Sequence, residues 1–361
     1  MPASPVRFGF AVPLFANPGM AFFRTPCFER LEWAPIARAI REAERLGYDS
    51  LFVADHCFLG REGAMLEGWT TLAALAALTR RMLLAPIHLC NGFRHPPLVA
   101  KMVATLDVIS GGRVILFYDS GWREAEFRAY GFPWDAEVNV RLEKMTEGLE
   151  IILKMLTQER TTYAGKHYQV ENALCAPKPV QQPHPPVWLG EAKDELMLAA
   201  VARYAQCWNS MPASLRALET KLDAVRRACA QHGRDYSTLQ KSLETQVLIA
   251  ESDQKIERVL GRIRRLKKKI IDVGSDQDIL QFLRATNPHL DDYGSREKLS
   301  EEFVIGTPEQ VRRRFQAYLD LGFTHFMLWF MDFPSRAGLR LFAREVMPAL
   351  KESSLRARRA V

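Results

Sequence analysis

Short apolar runs alternate along the chain with longer segments in which apolar residues return every three to four positions. Compact apolar runs mark strands buried on both faces, and the longer repeat marks helices with one covered face. Strands are expected at Val6–Val12, Ser50–Ala54, Met82–His88, Val114–Tyr118, Pro186–Gly190, Gln206–Asn209, Leu243–Ala250 and Thr324–Phe330. Helices are expected at Trp33–Leu46, Trp69–Thr79, Leu98–Ile109, Leu142–Leu156, Lys193–Tyr204 and Pro308–Leu321. The last opens on Thr307-Pro308-Glu309-Gln310: a cap residue, proline at the first helical position and glutamine at the third. This alternation predicts βα units around a parallel sheet. Periodicity alone leaves a (β/α)₈ TIM barrel and an open doubly wound sheet both standing.

Two stretches exceed a minimal barrel. Residues 158–185 contain a hairpin turning at Gly165 and then a path through Pro177, Pro179, Pro183 and Pro185. Residues 251–305 hold a charged helical segment and a polar loop. Long excursions in compact domains are usually functional, and these are expected to emerge on the C-terminal face or lead back from it. No internal boundary interrupts the pattern, so residues 1–361 are expected to form one domain.

Composition adds exclusions. With 48% hydrophobic and 25% charged residues, the chain has ample material for a large core. No run is apolar enough for a membrane helix, and the opening MPASPVRFGFAV lacks the pattern of a secretory leader. Six cysteines are scattered singly without metal-type spacing. Reduced thiols in a cytoplasmic protein, with no metal, are the expectation. The net charge of +7 gathers largely at 262–269 and 356–359. No aromatic interleaving accompanies these runs, so no nucleic acid is expected. They read as solvated surface, or as an attraction for an anionic coenzyme.

Candidate chemistry lies after the second strand. Asp55 and His56 close it, and catalytic groups of a barrel sit at the C-terminal ends of strands. A histidine can give or take a proton near neutrality, and Asp55 can orient it or the chain around it. Glu67 and Trp69 follow, as walls of a substrate pocket or as the start of a packed helix. Arg94 and His95 precede Pro96-Pro97 and suit a helix start.

Longer motifs decide the fold. Gly47-Tyr48-Asp49-Ser50-Leu51-Phe52-Val53-Ala54-Asp55-His56, then Met65-Leu66-Glu67-Gly68-Trp69, Arg94-His95-Pro96-Pro97 and Ser110-Gly111-Gly112-Arg113-Val114 appear in order. Gly121-Trp122-Arg123-Glu124-Ala125-Glu126-Phe127, Gly165-Lys166-His167-Tyr168, Pro183-His184-Pro185-Pro186 and Gly306-Thr307-Pro308-Glu309-Gln310 continue the series. The ordered set resembles the luciferase-like monooxygenase family over nearly the whole chain, and locally its coenzyme F-420 (deazaflavin) branch.

That resemblance implies a TIM barrel, an oxidoreductase using a deazaflavin or FMN, and a small organic substrate entering at the C-terminal face. It implies a homodimer through the second and third helices, where Ala73, Ala74, Ala76, Ala77, Ala100 and Ala104 offer small surfaces. It makes His56 the acid/base group and places a non-prolyl cis peptide beneath the ring near Ile87-His88. The phosphate would lie by Ser120, Gly121 and Trp122 and by Gly190, Glu191, Ala192 and Lys193. Here the sequence departs from the family pattern. Phe117 and Asp119 replace two glycines of the Gly-x-Gly-x-Gly-Trp stretch, and Ala192 replaces the serine of a Glu-Ser pair. Asp119 either faces the phosphate or turns away to pair with Arg123 or Lys193. The departures support a rival expectation, a barrel without coenzyme that serves as a binding or partner subunit.

Overall fold

The structure is a computed structural model that describes residues 5–20, 24–191, 193–269 and 295–352. Strands β1 (Arg7–Val12), β2 (Ser50–Ala54), β3 (Leu83–Ile87), β4 (Leu89–Cys90), β5 (Leu116–Asp119), β8 (Val187–Gly190), β9 (Cys207–Ser210), β10 (Gln240–Ile249) and β12 (His325–Phe330) share one sheet. Its order is β3-β2-β1-β12-β10-β9-β8-β5-β4, with every pair parallel. The expected third strand is split at the cis peptide Ile87-His88, so β3 and β4 occupy one staggered position. A parallel bridge between Leu84 and Val114 joins the two sheet ends, giving eight barrel positions. The open doubly wound sheet is excluded.

The expected strands lie where the apolar runs put them because their residues are buried on both faces: β2 and β12 are covered along their whole length. Helices wrap the outside, among them α1 (Trp33–Arg45), α2 (Gly68–Leu78), α3 (Pro96–Ser110), α4 (Glu124–Tyr130), α5 (Val138–Thr157), α6 (Glu195–Tyr204) and α7 (Leu215–Gln231). The helix Pro308–Asp320 has the anticipated capping box between Thr307 and Gln310. Inside the barrel, Phe52, Ile87, Phe117, Trp188, Met327 and Trp329 belong to one buried cluster. Gly9 is needed there: a Cβ would stand 2.3 Å from Ser50 Oγ and 2.4 Å from Phe52.

The two excursions take different routes. The hairpin β6 (Arg160–Ala164) and β7 (Gln169–Leu174) turns at Gly165, whose N–H donates to Tyr168 O at 2.9 Å. It runs back along α5, so its tip meets Asn91 beyond β4: Asn91 Nδ2 donates to Tyr168 Oη at 3.0 Å. The proline-rich tail instead crosses the N-terminal side, where Gln181 binds Asp107 and Pro186 O receives Leu116 N–H. The second excursion begins with helix α8 (Asp253–Lys269), which lies on the loop after β1; Arg262 reaches Glu29 at 2.9 Å. Its return is a strand not anticipated from sequence, β11 (Val304–Gly306), parallel to the end of β10. The polar loop between lies outside the described residues, as does the basic run at 356–359. Among the described residues no helix is long and apolar enough to cross a membrane.

Candidate active site

The C-terminal ends of the strands carry a layer of polar side chains above the apolar interior. The second strand delivers His56, whose Nδ1 lies 2.7 Å from Glu126 Oε2. Glu126 comes from the first turn of α4, and its side chain is buried. Its other oxygen accepts the N–H groups of Cys57 at 2.7 Å and Phe58 at 3.1 Å. Burial pushes the Glu126 carboxyl up, but the His56 ring and these hydrogen bonds outweigh it and hold the group below the usual carboxylate range. Facing a carboxylate, Nδ1 carries the proton and donates it, which leaves Nε2 to exchange a proton with a ligand. Trp122 stands edge-on to the ring at 5.7 Å. A small cavity of about 20 Å³, room for one water, is bordered by His56, Asp55, His88, Asp119 and Glu126.

Asp55 does not touch His56 by hydrogen bond. Its carboxylate is clamped by Arg94 through two 2.8 Å bonds and receives Cys90 N–H at 2.9 Å. Arg94 also reaches Glu67 at 2.8 Å. Glu67 caps α2, accepting the N–H groups of Trp69 and Thr70, while Trp69 packs half-buried against the main core. Arg94 therefore ties Glu67 and Asp55 into one unit that fixes the end of β2. Of the two orienting roles expected of Asp55, it holds the chain near His56 through Cys90 N–H, while Glu126 contacts the ring itself.

Below this lies the barrel mouth. His88 packs edge-on against Phe117 at 4.2 Å, and Gly190 leaves it space, since a Cβ there would meet His88 Nε2 at 3.0 Å. Burial pushes the His88 imidazole down, so it is neutral near pH 7. Register pairs Gln246 with Trp329 and Glu244 with Met327, so both point inward. Glu244 receives Trp329 Nε1–H at 2.7 Å and pairs with Arg24, whose guanidinium lies 4.7 Å over the Trp329 ring. Buried polar atoms without a partner gather here: His88 Nε2, Asn209 Nδ2, Glu244 Oε2 and Gln246 Oε1. Such atoms are costly unless a ligand or water meets them. They suit the heteroatom edge of a flat ring laid across the mouth.

The phosphate cradle is different. Asp119 pairs with neither Arg123 nor Lys193. Its Oδ1 accepts Gly121 N–H at 2.8 Å and so occupies a main-chain donor of the glycine loop. Gly121 itself is held at φ +83°, with its missing Cβ close to Cys90 Sγ. Glu191, after β8, is bound by Met211 N–H at 2.6 Å and Lys221 at 2.8 Å. Lys193 is exposed, and Ala192 lies outside the described residues. Ser120 borders a separate cavity of about 320 Å³ on the far side of the loop. The glycine cradle, with its Gly121 N–H occupied, does not fit a phosphate, whereas the mouth offers unpartnered buried polar atoms.

Sequence reading missed Glu126, Arg94 as the clamp on Asp55, and the Glu244–Arg24–Trp329 group. The only signal for Glu126 was a carboxylate beside Phe127 in a helix's first turn.

A parallel barrel with a histidine and polar groups at its C-terminal mouth defines a TIM-barrel enzyme scaffold. Within that class the chain belongs to the luciferase-like monooxygenase family, which it matches over residues 21–325. It is 25% identical over 374 residues to the FMNH(2)-dependent dimethylsulfone monooxygenase of Pseudomonas putida, covering 99% of each chain. It is 26% identical over 319 residues to the F420-dependent glucose-6-phosphate dehydrogenase of Microbacterium testaceum, covering 86% of this chain and 91% of that one. Among solved structures it superposes on an F420-dependent secondary alcohol dehydrogenase with a TM-score of 0.74, at 18% identity over 96% of this chain and 99% of that chain. A long-chain alkane monooxygenase gives a TM-score of 0.75 at 16% identity, over 97% and 92% of the two chains.

Proposed function

We propose that this chain is an oxidoreductase that binds a deazaflavin or FMN at the barrel mouth and acts on a small organic substrate by hydride transfer or oxygen insertion. The His56–Glu126 pair carries the proposal: a half-buried histidine held at Nδ1 by a buried carboxylate, on the border of a cavity. The full-length relatives with FMN- and F420-dependent activities support the same class. When bound, the coenzyme supplies the two-electron chemistry. Ile87, His88 and Gly190 would lie beneath its ring, with Trp122 beside it. Ser120 and Gly121 would lie beside it, in a loop whose Gly121 N–H is already taken by Asp119. His56 holds or moves a proton at Nε2, and Glu126 stabilises the charged ring. Glu67 and Trp69 border the substrate side, and Arg94 positions Asp55 behind them.

Titration with FMN and with the deazaflavin, followed by quenching of coenzyme fluorescence, tests the reading. Saturable binding of at least one is expected. Binding of neither would replace it with the rival, a barrel that serves as a partner subunit, for which Asp119 in the glycine loop is the motivating observation.

Two further features belong to the same reading. The chain forms a homodimer through α2 and α3, since Leu98, Val108 and Ile109 are large apolar side chains exposed on α3, whereas Ala76, Ala100 and Ala104, expected to line that surface, are buried in the core. It works in the cytoplasm, since its six cysteines are free thiols and five of them are buried.

A further inference from the structure

Arg141, on the first turn of α5, is a half-buried cation whose hydrogen bonds all go to main-chain carbonyls. It donates to Gly121 O at 3.2 Å, Asp135 O at 2.6 Å and Ala136 O at 2.9 Å. Its guanidinium lies over the Trp134 ring at 4.3 Å. Asp119 and Asp135 act on it from a distance, but burial dominates and pushes its pKa down. An anion brought alongside would relieve that cost.

The space for one exists. The cavity of about 320 Å³ beside Ser120 is bordered by Arg141, Lys144, Arg94 and His167, with Asp135 as its one carboxylate. Lys144 pairs with Asp135 at 2.6 Å, Arg94 with Asp55 and Glu67 at 2.8 Å and His167 with Glu143 at 2.9 Å, so Arg141 is the cation of the lining whose hydrogen bonds go to carbonyls alone. Phe93, Phe127 and Phe132 pack together as its apolar wall. Phe93 and Phe127 also border the cavity at His56, so the two spaces are neighbours that share these rings. The glycine loop between them has its Gly121 N–H occupied by Asp119 on one side and Gly121 O held by Arg141 on the other.

We infer that the Arg141–Lys144 cavity is an oxyanion subsite, which takes the phosphate-type group of a ligand whose body reaches the barrel mouth and which replaces the occupied glycine cradle. A planar guanidinium and an ammonium facing one cavity match the oxygens of a phosphate, and the phenylalanine wall lowers the local dielectric that strengthens the contact. The inference rests on the coenzyme reading only for the ligand's body. The anion itself has two sources, the coenzyme's phosphate or an anionic group on the substrate.

The probe is inorganic phosphate, titrated into the full chain at low salt and followed by calorimetry and by the emission of Trp134 against Arg141. Saturable binding is expected in the wild type. Lys144→Gln and Arg141→Gln should each weaken it by about tenfold or more, and Arg141→Lys, which keeps the charge, should retain most of it. Arg141 also anchors the loop, so Lys144→Gln with an unchanged melting temperature serves as the clean variant. Competition then separates the sources. If phosphate displaces FMN, and Lys144→Gln weakens FMN but not riboflavin, the group is the coenzyme's. If phosphate and FMN bind together, it is the substrate's. Absence of saturable phosphate binding at tens of millimolar, or equal binding by the variants, overturns the subsite even if FMN binds. Phosphate binding without binding of either coenzyme would leave the subsite standing and remove the coenzyme reading.

Discussion

At the scale of single residues the chemistry depends on which charges are matched. His56→Asn should lower turnover by about 10²–10⁴-fold with coenzyme affinity nearly unchanged; equal turnover would show His56 to be a packing residue. Glu126→Gln removes the carboxylate that fixes the ring. It should lower turnover by about tenfold or more, because an amide no longer holds the ring in place through a charged hydrogen bond. A Glu126 that only packs the loop would leave turnover unchanged. Asp332 gives a stability test of opposite character. It is buried, its Oδ1 has no partner, and burial raises its pKa from 3.8 to about 6. The folded state therefore favours the protonated acid. Stability from this group is full below about pH 4 and is lost as pH rises through 6. Asp332→Asn cannot ionise, so relative to wild type it should gain about 2 kcal/mol between pH 4.5 and pH 8, read from urea midpoints. A constant difference would contradict the buried charge. None of these partners was legible in the sequence. Glu126 lies 70 positions from His56, and Arg94 lies 39 from Asp55; only folding decides such meetings.

At the scale of elements, patterning was informative wherever a segment is covered on both faces. β2 and β12 read directly as apolar runs, and the 3.6-residue repeat found the helices. Three-residue β11 left no period to detect, and it ends in a glycine, so it passed for loop. The third strand read as one run because its apolar residues continue across Ile87-His88, where the pairing breaks. The glycine loop showed its altered residues but not their direction: Asp119 serves its own turn. Gly9 tests how tightly the elements are fitted. Gly9→Ala forces a methyl against Ser50 and Phe52 and should cost about 1–3 kcal/mol. A denaturation midpoint equal to wild type would mean that the bottom of the barrel can yield.

At the scale of the molecule, the proposed dimer predicts twice the chain mass of 41.1 kDa in light scattering at micromolar concentration. Leu98→Glu combined with Ile109→Glu places charges on the exposed face of α3 and should give monomers that remain folded. A monomeric wild type would remove the interface. Association through α2 and α3 fits the site, because α2 is capped by Glu67 and α3 begins just after Arg94, and both residues belong to the unit that fixes Asp55.

The pairing of β10 with β11 also bears on how such a barrel can diversify. Ile249 and Gly306 are register partners, so the chain leaves the sheet and rejoins it at adjacent positions. Whatever length lies between them, its ends are already pinned at inter-strand spacing, and closure entropy grows only slowly with added residues. The stretch behaves as an exchangeable cassette clipped to a constant frame. Recombination could swap it for another of different size while the eight-strand frame and its histidine stay as they are.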